Sequence, residues 1–235
     1  MHTGAITWVV VGSAVLVQIV YPLVPEVLRT EITIASVLVF ALASLTDAAR
    51  LHGLHGSVLL LAVGAGGGLL AETTGLHTGF PVGRYTYSGD LGPELLGVPA
   101  IVPLAWTMMA WPALVVGRTL ARRLGLGATA VALIGGWALA SWDVFLDPQM
   151  VDAGHWTWQH PSPSLPFVPG VPLTNYAGWI LVSVLILGVL HRLLPQDERS
   201  PSGPASVLYL WAYSSSVLAH LASSGFPAPP CSAVC

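Results

Sequence analysis

Gly56-Ser-Val-Leu-Leu-Leu-Ala-Val-Gly64-Ala-Gly66-Gly67-Gly68-Leu-Leu-Ala-Glu72-Thr73-Thr74 is the stretch on which the fold turns. Before Glu72 it carries no ionisable side chain, and its length matches the roughly 20 apolar residues that cross a bilayer core as a helix. Its glycines let neighbouring helices approach closely, so this face is expected to pack on another helix or beside a flat ligand. Glu72 stands in the last turn of the apolar run. An ionisable group at such a depth is costly and points to function.

The rest of the chain has the same character. Of 235 residues, 54% are hydrophobic and 8% are charged, against about 25% charged in soluble domains. The mean hydropathy is +0.74. The composition predicts an all-α integral membrane protein, a single polytopic domain over residues 1–235 with no soluble appendage. Seven spans are expected, at roughly 4–24, 32–47, 56–74, 98–117, 126–147, 175–194 and 204–222. The first has no Lys or Arg before it, so it reads as a span and not as a cleaved signal peptide. The net charge of −3 and the lack of a basic cluster argue against nucleic-acid binding. Cys231 and Cys235 read as a plain tail, with a disulfide or a metal contact as alternatives, and Ser232 excludes the prenylation pattern.

The arginines set the orientation. With seven spans, Arg50, Arg118, Arg122, Arg123, Arg192 and Arg199 share one side, and only Arg29 and Arg84 lie on the other. The positive-inside rule then places the N-terminus in the cytoplasm and the C-terminus outside a cell membrane. The two long connections, 75–97 and 148–174, fall on the arginine-poor side and are rich in Gly, Pro, His and aromatic residues. Loops of that length and composition are expected to be ordered and functional.

Asp143 and Asp147 lie near the end of the fifth span, in Trp142-Asp143-Val-Phe-Leu-Asp147-Pro148. A separation of four puts them on one helix face, and Pro148 is expected to stop the helix. Capping explains them poorly, because an acid at a helix C-terminus opposes the dipole; pairing with Arg84 is the other bland reading. Two apposed carboxylates do not readily both ionise, and a retained proton is what acid catalysis on an alkene requires. Glu72, Asp143, Asp147, His77 and His155 also make an acceptable metal set. The isolated histidines make that the weaker reading. Trp142, Trp156, Trp158, Trp179, Trp106 and Trp111 fit interfacial belts, above all Trp156 and Trp158. A tryptophan face can also stabilise a cation.

The stretch Glu72-Thr-Thr-Gly75-Leu-His77-Thr78-Gly79-Phe80-Pro81-Val82-Gly83-Arg84-Tyr85-Thr-Tyr87 resembles the signature of the carotenoid-biosynthesis membrane family. Leu91-Gly92, Gly97-Val98-Pro99 and Pro103-Leu-Ala-Trp106 continue the resemblance. A second block looks similar too: Trp142 to Met150, Trp156, Trp158, Gly170-Val171-Pro172, Asn175 and Gly178-Trp179. Val82 stands where an aromatic residue is expected.

The resemblance implies hydration of the terminal double bond of an acyclic carotenoid end group, with neither redox cofactor nor metal. The substrates implied resemble γ-carotene, lycopene or the fifty-carbon precursor of bacterioruberin. Membrane lipid and other membrane enzymes of the carotenoid pathway are the partners implied. One of Asp143 and Asp147 then serves as general acid while the other stabilises the cation or steers water, and Glu72 is the alternative acid. Tyr85, Tyr87 and Asn175 order water, and Trp142, Trp106 and His77 line the substrate. Arg84 holds a carboxylate ionised or anchors at the interface. Cyclisation or isomerisation of the same polyene, and pigment carriage without chemistry, remain alternatives. Haem ligation by His191 and His220 is disfavoured, because they lie at opposite ends of adjacent spans.

Overall fold

Hydrophobic length dictates a helical protein, and the computed structural model is one; it describes residues 2–166, 168–195 and 202–224. Arg199, Cys231 and Cys235 lie outside the described residues. Helix α1 (His2–Val20) leads through 3-10 turns at Tyr21–Leu23 and Glu26–Leu28 into α2 (Arg29–Thr78). Then come α3 (Ile101–Arg123), α4 (Ala128–Asp152), α5 (Leu173–Leu193) and α6 (Gly203–Ser224). Among the described residues, five helical stretches are long and apolar enough to cross a membrane: Gly4–Leu23, Glu26–Thr78, Ile101–Arg123, Ala128–Asp152 and Leu173–Leu193. Helix α6 carries Tyr209, Tyr213 and three consecutive serines in its middle and is not among the five.

Helix α2 has 50 residues, which unbroken would run about 75 Å, more than twice the ~30 Å hydrocarbon core. It is broken at Gly53, whose φ of 67° and ψ of −173° suit only glycine. Its two arms, residues 29–52 and 54–78, fold back on one another. The Ser57 hydroxyl donates to the Leu45 carbonyl at 2.6 Å, two groups that a straight helix would hold about 18 Å apart. The expected segments 32–47 and 56–74 fall one in each arm.

The glycine face of the second arm packs on protein. A Cβ added at Gly68 would lie 2.5 Å from the Trp106 side chain, and one at Gly64 would lie 3.0 Å from the Thr107 backbone. The arm therefore seats directly on α3. At the opposite end of the bundle Asp47 is fully buried. It accepts from Arg50 at 2.7 Å, Trp111 at 2.8 Å and Ser202 at 2.5 Å. Arg118 there donates to the Leu194 and Pro195 carbonyls at 2.8 and 3.1 Å.

Three sequence expectations need correction. Pro148 does not stop α4, which continues to Asp152. A proline removes one helix donor, and the final turn is closed past it by bonds from Ala153 to Gln149 and from His155 to Met150, at 3.0 and 2.9 Å. Helix α2 likewise runs beyond Thr74 to Thr78, where Gly79 caps it in the left-handed region with φ 83°.

The third correction is to the purely helical class, because the long loops carry short antiparallel pairs. Strand β1 (Tyr85–Tyr87) pairs with β4 (Trp156–Trp158), β2 (Glu94–Leu95) with β3 (Val98–Pro99), and β5 (Ser164–Leu165) with β6 (Val168–Pro172). Tyr-Thr-Tyr opposite Trp-Thr-Trp alternates aromatic with β-branched residues, the period of a strand with one buried face. This pair joins the two loops over the carboxylate end of the bundle.

Candidate active site

Each arm of the site comes from a different element. Glu72, one and a half turns before the end of α2, is 7% exposed. Its Oε1 accepts from Trp106 Nε1 of α3 at 3.0 Å. Its Oε2 accepts from the Tyr85 hydroxyl of β1, and from the Tyr87 hydroxyl at 3.2 Å. Burial first, then the Glu72 charge, pushes both tyrosine hydroxyls well above their ordinary range, so they stay protonated donors.

Asp143 and Asp147 face the same way on α4, as their spacing requires. Asn175, in the first turn of α5, donates to Asp143 Oδ2 at 2.8 Å and also to Asp147. Both carboxylates are buried, and Asp143 Oδ1 has no hydrogen-bond partner among the described residues. Behind them, Trp106 and Trp179 stack at a centroid distance of 3.9 Å, with Trp142 edge-on to Trp179 at 6.4 Å.

These groups close one end of a cavity of about 570 Å³ whose walls are mostly apolar. Glu72, Asp147, Asn175, Trp142, Trp156 and Trp179 line that end; Asp143 sits behind the wall. The cavity continues between α1, the first arm of α2 and α6, past Phe40 and Met108.

Of the residues singled out in the sequence, Glu72, Tyr85, Tyr87, Trp106, Trp142, Asp143, Asp147 and Asn175 come together. Arg84 and His77 do not: both are exposed, away from the buried carboxylates. The main chain turns sharply at Gly79, over which the Arg84 stem lies, while the Arg84 carbonyl accepts from Gln159 at 2.9 Å. His155 also stands apart, its Nδ1 2.9 Å from Asp90 Oδ2. Partial burial of Asp90 is outweighed by the Ser88 hydroxyl and the His155 ring, which hold its carboxyl below the usual range. Among the described residues no three of His, Cys, Asp and Glu are arranged to hold a metal ion.

Trp156 and Trp158 belong to the cavity wall and not to an interfacial belt; they are 9% and 5% exposed. Phe40, Met108 and Trp211 of that wall go unnoticed in the sequence, where they look like any other apolar span residue. Asp47 is also missed, although Asp47 and Arg50 stand at the i, i+3 spacing of a helix ion pair.

Comparison with known proteins gives the same direction as the geometry. The model of a family described as carotenoid biosynthesis protein matches residues 29–232. A bisanhydrobacterioruberin hydratase of Haloarcula japonica is 39% identical over 123 residues, covering 49% of this chain and 39% of the relative. The chain thus spans about two fifths of that relative's length. No solved structure matches it significantly. With the family model extending over most of the sequence, from the start of α2 past the end of α6, the chain belongs to the carotenoid biosynthesis protein family.

Proposed function

We propose that this protein is a membrane carotenoid hydratase, adding water across the terminal double bond of an acyclic end group. The observation that carries the reading is the convergence of Asp147 and Glu72, both buried, on an apolar cavity walled by tryptophans. An apolar slot suits a polyene, and buried acids serve chemistry on an otherwise unreactive hydrocarbon. The related hydratase supports the reaction class.

In this mechanism Asp147 is the acid, because it lines the cavity and Asp143 does not. Two carboxylates bridged by one Asn175 amide repel when both are charged, so the pair retains a proton. That proton passes to the less substituted alkene carbon, leaving a tertiary cation beside the Trp142 and Trp179 rings. Water then adds to the cation, its spare proton returns to the carboxylate pair, and the net change is one water gained. Tyr85 and Tyr87 keep Glu72 in place across the cavity, where its charge favours the cation. No redox step is involved.

The same reading has seven crossings of a cell membrane, counting the two arms of α2 separately and including α6. The N-terminus is cytoplasmic and the C-terminus outside. The substrate comes from the lipid, and other membrane enzymes of the pathway are its neighbours.

The experiment is expression in a host that accumulates lycopene, with the extracted pigments resolved by chromatography and mass detection. Products heavier by one or two waters are expected. Products of unchanged mass would replace hydration with cyclisation or isomerisation. Unaltered lycopene, retained by the purified protein, would make it a pigment carrier.

A further inference from the structure

Strand β4 brings two indoles to the cavity, and only one of them is bonded. Trp156 and Trp158 stand two residues apart on one face of the strand, and both line the cavity. The Trp158 N–H donates to the Val82 carbonyl at 2.9 Å. The Trp156 N–H completes no hydrogen bond among the described residues, in a side chain only 9% exposed. A buried donor left open is unfavourable and calls for a reason.

The backbone fixes where that donor lies. The His155 N–H donates to the Met150 carbonyl at 2.9 Å, which folds the start of β4 back over the last turns of α4. On its other side Trp156 pairs in register with Tyr87, and the two rings meet edge-on at 5.8 Å. So held, the indole N–H lies beside the Asp147 carboxylate, close enough to act on it as a donor but with no bond formed. Asp147 otherwise accepts from Asn175, whose amide it shares with Asp143. The ionisable groups that act on Asp147 are Asp143 and Glu72, both acids.

Those surroundings matter at one moment of the reaction. When Asp147 gives its proton to the alkene, its O–H bond breaks, a C–H bond forms, and a new anion is left buried among acids. An unbonded N–H beside it can close on that charge with little movement. A donor placed where charge develops favours the transition state over the ground state, and catalytic hydrogen bonds are often long before reaction.

We propose that the Trp156 N–H is a donor held in reserve for Asp147, bonding it as it becomes a carboxylate. Trp156 is then a positioning residue that acts through Asp147 and not on the polyene. It gives the acid's role to Asp147 over Asp143. When water adds to the cation, its spare proton returns to Asp147 and the N–H is released. The inference rests on the hydratase reading.

The test uses detergent-solubilised full-length protein with lycopene, and reads hydrated product per pigment bound, so that unfolded protein does not count. Trp156→Phe keeps a ring in the wall and removes the N–H. It is expected to lower turnover about tenfold with pigment affinity unchanged. In an Asp147→Asn background the same change is expected to cost less than about twofold, because the charge it serves no longer forms. Trp158→Phe is the comparator, and whatever it costs should carry over undiminished into that background. Turnover unchanged in Trp156→Phe, or a loss that carries over in full like that of Trp158→Phe, overturns the inference and leaves Trp156 as wall alone, with the hydratase reading intact. Wild type that hydrates no pigment overturns both.

Discussion

Asp143 and Asp147 stand one turn apart on α4 and share one amide donor, yet only Asp147 reaches the cavity. Their substitutions should therefore differ. Asp147→Asn removes the proton donor and is expected to lower hydration by at least about 100-fold, the usual worth of a general acid, while bound pigment is retained. Asp143→Asn keeps a hydrogen-bonding group behind the wall and is expected to cost less, because Asp147 still faces the substrate. Equal losses in product formation, measured at matched protein levels, would mean that the pair acts as one unit with no division of roles. The acids are legible in the sequence because a carboxylate within an apolar run has few bland explanations. Arg84 and His77 are not legible in the same way. Their exposure depends on where α2 ends and how the chain leaves Gly79, and a motif in one dimension carries no such direction.

Elements depend on a few backbone positions, and two glycines separate two kinds of constraint. At Gly53 a Cβ would meet nothing within 4 Å, but φ is +67°; the cost of Gly53→Ala is conformational, about 1–3 kcal/mol. It is expected to lower the thermal midpoint in detergent while leaving the product spectrum of the remaining folded protein unchanged. Gly68 is the reverse case, with its would-be Cβ 2.5 Å from Trp106. Gly68→Ala displaces the ring that donates to Glu72 and stacks on Trp179, so activity is expected to fall further than stability. A Gly53→Ala variant as stable as wild type would mean that the arms of α2 meet by another route. The break itself is legible, since an apolar run much longer than a bilayer must turn somewhere. The continuation of α4 through Pro148 is not, because tertiary packing and the bonds that close the final turn outweigh the local preference of proline. The β1–β4 pairing is half legible: Tyr-Thr-Tyr and Trp-Thr-Trp each alternate, but nothing in either triplet names its partner 71 residues away.

At the scale of the whole molecule, charge and chemistry are segregated to opposite ends. Arg50, Arg118, Arg122 and Arg123 gather at the bend of α2 and the end of α3, whereas Glu72, Asp143 and Asp147 lie under the paired loops at the other end. The segregation is readable from arginine positions alone, because helices of bilayer length must alternate in direction and every second connection shares a side. What the positions cannot supply is the cavity, which is built from apolar residues of all six helices described, α1 to α6, and leaves no periodic trace in any one of them. The arginine-rich end is expected to face the cytoplasm, and single-cysteine labelling tests this directly. With Cys231 and Cys235 replaced by Ser, Glu94→Cys in the loop pair and Ala128→Cys at the start of α4 place one exposed thiol at each end. A membrane-impermeant thiol reagent applied to intact cells should label Glu94→Cys and spare Ala128→Cys until the cells are opened. The opposite pattern would invert the orientation and place the carboxylates at the cytoplasmic face. Labelling of both in intact cells would mean that the stretch between them, α3, does not cross the membrane, and the seven-crossing arrangement would fall with it.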